Sequence, residues 1–145
     1  MEGKTADPNM AYSNYGKYLE TEVYSADPVK LVCMLYRGAI EATGAARRYL
    51  KDRQILERSR EVMRAVEILR ELTRALDPQY EISRPLRDLY AYMQTRLIDA
   101  NARQIDEPLA EVERLLSTLL EGWRTVAPAA PPVASETYQP MSCTY

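Results

Sequence analysis

Apolar positions recur at helical spacing in four separate stretches of the chain, and no stretch alternates long enough to read as a strand. The first opens at "ADPVKL", where Asp27 can cap the free amides and Pro28 suits the first helical position. Leu31, Met34, Leu35, Gly38, Ala42, Ala45 and Tyr49 then form a stripe that predicts a helix to about Lys51. Gly38 and Gly44 within it should each cost roughly 0.5–1 kcal/mol against alanine, so at least one is expected to admit another backbone closely. The second stretch, Gln54 to Leu76, steps through Val62, Val66, Leu69, Thr73 and Leu76, and Pro78 then disfavours a helical Asp77. The third opens at Ser83, read as its cap, and carries Leu86, Leu89, Tyr90, Met93, Leu97 and Ala100 to about Ala102. The fourth starts at Asp106, again read as a cap, and carries Leu109, Val112, Leu116, Leu119, Trp123 and Val126.

Four such helices on short connections predict an all-α fold, an antiparallel up-down-up-down four-helix bundle. The expected organisation is an N-terminal aromatic arm over 1–24, the bundle over 25–126 and a proline-rich, disordered tail over 127–145. The polar face of the second helix pairs Glu57 with Arg60, Glu61 with Arg64, Glu67 with Arg70 and Glu71 with Arg74, three residues apart.

Apolar residues exceed what these stripes use. Val32, Cys33, Tyr36, Ile40 and Leu50 point away from the first stripe, leaving Lys30, Arg37, Glu41 and Arg48 as a narrow wet strip. Ile68 and Leu72 on the second helix, with Tyr92 and Ile98 on the third, also sit off their seams. Either neighbouring elements bury them or a partner does.

Composition then removes whole classes of chemistry. The chain has no histidine, the usual general base and commonest metal ligand. Its acids fall opposite the apolar stripes and alternate with arginines, as solvated ion-pair faces do. No phosphate loop, nucleophile elbow or paired-cysteine motif occurs, so neither enzyme nor cofactor is expected. Cys33 and Cys143 read as reduced thiols more readily than as a bridge. A basic run from Arg47 to Arg64 is interrupted by Asp52, Glu57 and Glu61, and the net charge is −2, so nucleic acid is not the expected partner. No apolar run approaches the roughly 20 residues of a membrane span. Cytoplasmic location without membrane insertion is the default.

The arm "AYSNYGKYLETEVY" holds Tyr12, Tyr15, Tyr18 and Tyr24, in a chain with eleven tyrosines and no phenylalanine. Burying two of these rings yields roughly 3–6 kcal/mol. Ordering the arm costs about 1–2 kcal/mol per residue, so docking would be marginal and reversible.

Three blocks in order, "ADPVKLVCMLYRGAIEA", "LRDLYAYMQTRLIDAN" and "LAEVERLLSTLLEGW", behind a Tyr-x-x-Tyr arm, resemble the flagellar secretion chaperone (FliS) family over about Ala11 to Val126. The resemblance implies a cytosolic helical bundle that binds the disordered C-terminal segment of flagellin. It implies that the chain blocks premature polymerisation and presents its client to a flagellar type III export gate component. It also ties Tyr12 and Tyr15 to the client groove, as a cover over it or as a contact. The expected contact set is Tyr12, Tyr15, Tyr36, Ile40, Ile68, Leu72, Tyr92 and Ile98, with Asn101 offering polar contacts or capping its helix. A helical-bundle adaptor for a different client is the alternative. Whether the empty chain forms a homodimer through the same groove is open from sequence.

Overall fold

The computed structural model describes residues 28–126, which form four helices: α1 Pro28–Lys51, α2 Ile55–Arg74, α3 Ser83–Arg103 and α4 Glu107–Thr125. No strand lies among the described residues. The expectations about the arm, the tail and the Asp27 cap lie outside them.

Two helix starts differ in mechanism from the sequence expectation. Ser83 is the first residue of α3, not its cap: Ile82 holds the cap position, and the buried Ser83 hydroxyl donates to the Asp77 carbonyl, closing the turn between α2 and α3. Asp106 does precede α4, but its carboxylate makes no capping bond. It accepts instead from Arg47 on α1, at 2.8 Å from Nε and 3.0 Å from Nη2, because a charged, two-pronged donor outcompetes a backbone amide. Among the described residues two adopt the left-handed conformation, Arg53 (φ 58°) between α1 and α2 and Gln104 (φ 57°) at the end of α3. The N–H of Gln104 bonds back to the Ala100 carbonyl.

α1 packs on α2 and α4, and α3 packs on the same two helices, so the four close into a ring. The side-chain pairs show α4 antiparallel to both of its neighbours. Tyr92 reaches Glu111 and Arg96 reaches Glu107, so one residue number rises as the other falls. Tyr36 pairs with Trp123 and Arg47 with Glu113 in the same sense.

The core rests on Ala39, Ala42 and Ala46 of α1 and Ala65, Val66 and Leu69 of α2, all fully buried. Small side chains let these helices approach closely, and larger ones from α3 and α4 (Met93, Leu97, Leu109, Leu116) fill the opposite half. Each fully buried Leu or Val contributes about 1.5–3 kcal/mol of transfer free energy.

The buried face of α1 corrects the expected stripe. Its centre is Ala39, directly opposite Lys30, Arg37, Glu41 and Arg48, and about 70° round from the Leu31–Leu35–Gly38–Ala42 line at 100° per residue. Tyr36, expected to face outward, is 0 % exposed. Ile68 and Leu72, expected off the seam of α2, are buried as well. Each helix in the ring touches two neighbours, so its buried arc is wider than one stripe, and these two residues fill the half of α2 that meets α1. Three of the four acid–base pairs on α2 form, at 2.7–2.9 Å, whereas Glu57 and Arg60 do not pair.

Candidate functional site

Along the bundle axis three helices each contribute one aromatic ring with a polar tip. Trp123 Nε1 donates to the Tyr36 hydroxyl at 2.9 Å, and that hydroxyl lies 2.5 Å from the hydroxyl of Tyr90. The Tyr36 and Tyr90 rings meet edge to face, with centroids 6.3 Å apart. Burial pushes the Tyr36 hydroxyl up to about 12, with its hydrogen bonds to Tyr90 and Trp123 pulling the other way. Tyr90 is raised further, by burial and by the neighbouring Tyr36 oxygen. These phenols are structural groups, held neutral and remote from solvent.

The flanks of α4 carry two polar networks. On the α1 side, Arg47 bridges Asp106 and Glu113, and these hydrogen bonds raise its pKa. Ile40, partly buried against the core, lies on the same flank of α1. On the α3 side, the exposed Tyr92 donates to Glu111 at 2.7 Å, and Arg96 spans Glu111 and Glu107. The Tyr92 hydroxyl, followed by Arg96, holds the Glu111 carboxyl below its usual value. The Tyr92 ring itself stays open to solvent.

The opposite edge of the ring, between α2 and α3, holds a third cluster. Arg58 is buried, and its Nε donates to Asn101 Oδ1 at 2.7 Å while Nη2 reaches the Asn101 carbonyl at 3.3 Å. That carbonyl belongs to the last turn of α3, where the negative end of the helix dipole offsets a buried cation. Gln104, not Asn101, holds the C-terminal cap position of α3, and the Asn101 side chain accepts from Arg58 at Oδ1 and bonds Ser59 through Nδ2, which leaves one amide N–H over. Ile98, one turn earlier, is exposed.

The structure thus divides the expected contact set. Tyr36, Ile68 and Leu72 are core, Ile40 and Tyr92 flank α4, and Ile98 and Asn101 lie on the α2–α3 edge. Tyr12 and Tyr15 lie outside the described residues. Sequence reasoning passed over Ile55, Leu56 and Met63, which α2 leaves exposed. Leu56 and Met63 stand seven residues apart on its polar face, a spacing that would have revealed them. Among the described residues no group of three or more Cys, Asp or Glu could hold a metal ion, and no helix is long and apolar enough to cross a membrane.

Fold and surface together define a small all-α bundle with apolar side chains left uncovered along its edges. The chain belongs to the FliS family: residues 11–130 match the family model for flagellar protein FliS. It is 35 % identical over 129 residues to the flagellar secretion chaperone FliS of Salmonella typhimurium, covering 87 % of this chain and 94 % of the relative. The FliS chaperone of Bacillus subtilis is 29 % identical over 116 residues (79 % and 87 % covered). FliSB of Pseudomonas aeruginosa is 34 % identical over 107 residues (72 % and 85 % covered).

Proposed function

We propose that the chain is a cytosolic export chaperone that holds the disordered C-terminal segment of flagellin, prevents its premature polymerisation and delivers it to the flagellar type III export apparatus. The observation that carries this reading is the family match across nearly the whole chain to proteins named flagellar secretion chaperones. The bundle supports it, because apolar side chains at its edges alternate with carboxylates and guanidinium groups, as binding an extended client requires. The proposed contacts are Ile40 and Tyr92 on the two flanks of α4, with Tyr12 and Tyr15 of the N-terminal segment.

The test is size exclusion with light scattering on the full chain mixed with the C-terminal segment of its own organism's flagellin. A one-to-one complex is expected, weakened by Ile40→Asp combined with Tyr92→Asp. Separate elution of the two wild-type components sinks the proposal.

A further inference from the structure

Ile55, Leu56 and Met63 of α2 and Ile98 of α3 are each exposed by 44 to 60 %. At 100° per residue, Leu56 and Met63 fall within about 20° of one another on α2, and Ile55 and Ser59 adjoin them on the side toward α3. The bonds from Arg58 and Ser59 to Asn101 set the register of the two helices. Ile98, three residues before Asn101, therefore lies level with the turn of α2 that carries Met63. The four residues line the α2–α3 edge over about 12 Å from Ile55 to Met63 at 1.5 Å per residue, or two helical turns, with Ser59 and Arg60 between them. A strip of this kind exposes a few hundred Å² of apolar surface, the order at which patches mark interaction sites.

Charge identifies what fits it. Arg60 on α2 and Arg53 in the preceding turn make no ion pair with a described residue, and Lys51 adds a further exposed cation against the single carboxylate of Asp52. Glu57 and Glu61 lie round on the α1 side of α2, where Glu61 binds Arg64. Asp99 lies on the α4 side of α3, where it binds Arg103. The positive end of the α2 dipole falls at the same place. A second copy would set these cations against their own kind, which disfavours self-pairing.

We propose that the α2–α3 edge is a second docking surface, which takes an acidic amphipathic helix of a protein partner other than the client held at α4. Its apolar anchors, about one turn apart, seat on Ile55, Leu56, Met63 and Ile98, and its carboxylates meet Arg53 and Arg60. The proposal is independent of the flagellin reading, and its test uses no flagellin.

The test is methyl NMR of the full chain titrated with two synthetic amphipathic peptides of about 12–15 residues. Both carry leucine at helical spacing, one with glutamate and its twin with lysine at the flanking positions. The glutamate peptide is expected to shift the methyls of Ile55, Leu56, Met63 and Ile98 saturably and to bind about tenfold more tightly than the lysine twin. Arg60→Glu should abolish or reverse that preference, and Met63→Asp should abolish binding, with both variants melting as the wild type does. Equal binding of the two peptides, or shifts centred elsewhere, overturns the proposal. So does an unmoved spectrum, whether the strip lacks affinity or is already covered by residues 1–27 or 127–145. Self-association that Met63→Asp removes would assign the strip to a second copy and equally overturn it.

Discussion

Trp123 on α4 donates its indole N–H to the Tyr36 hydroxyl on α1 at 2.9 Å, and Tyr90 on α3 meets that same oxygen at 2.5 Å. Tyr36→Phe therefore strands two buried polar groups with one deletion. Each costs about 1–3 kcal/mol when left unsatisfied, so the variant should lose on the order of 2–4 kcal/mol in urea unfolding. Tyr36→Phe with Tyr90→Phe should recover part of that loss, since it removes both hydroxyls. An unchanged midpoint for the single variant would show that the cluster contributes little.

The same phenols govern alkaline behaviour. An unfolded tyrosine titrates near 10, whereas Tyr36 in the fold is held at about 12 and Tyr90 is raised as well. Between those values the unfolded chain holds fewer protons than the folded one, so stability falls as pH rises. The stabilisation is complete below about pH 10 and is lost progressively toward pH 12. Urea midpoints measured from pH 8 to 11 should fall only above about 10, and less steeply in Tyr36→Phe.

Two arginines with similar hydrogen-bond counts should differ sharply in worth. Arg47 joins Asp106 and Glu113 from a site about two-fifths exposed, where such pairs contribute about 0–1 kcal/mol and weaken with salt. Arg58 is buried and loses its best acceptor in Asn101→Ala, at a cost of about 1–3 kcal/mol. Thermal melts of Arg47→Met and Asn101→Ala in low and high salt should rank them in that order, with only the first salt-dependent.

Gly44 sits inside α1 with no backbone packed on it. An added Cβ would lie 3.3 Å from Glu113 Oε2, the far end of a side chain that can swing toward solvent. Gly44→Ala should gain about 0.5–1 kcal/mol of helix propensity, less the small shift of that carboxylate. A modest rise in melting temperature is expected, and a fall would show that Arg47 pins Glu113 too firmly to yield.

The four helices were legible because each stretch repeats its apolar period over several turns between proline, serine or aspartate stops. Side-chain destinations were less so. Ser83 and Asp106 have the chemistry of caps, but each found a stronger partner in the folded bundle, Asp77 and Arg47, that local sequence does not display. On α1 the larger apolar residues pulled the expected stripe toward Leu31 and Leu35, although alanines and Thr43 pack at the true centre. The charged strip was the better compass, since its opposite lies on Ala39. Arg58 escaped notice because nothing in sequence separates a buried guanidinium from its exposed neighbours.

Because the chain contains no phenylalanine, its deeply buried rings, Tyr36, Tyr90 and Trp123 among the described residues, each carry a polar atom inward. Those atoms find one another only if α1, α3 and α4 stand at the right heights and in the right rotational order. A bundle wound in the opposite sense, or slipped by one turn, could bury the same apolar area but would leave three polar tips in a dry core. The aromatic cluster thus acts as a combination lock on topology, selecting one arrangement of the helices from several that greasy contact alone would accept.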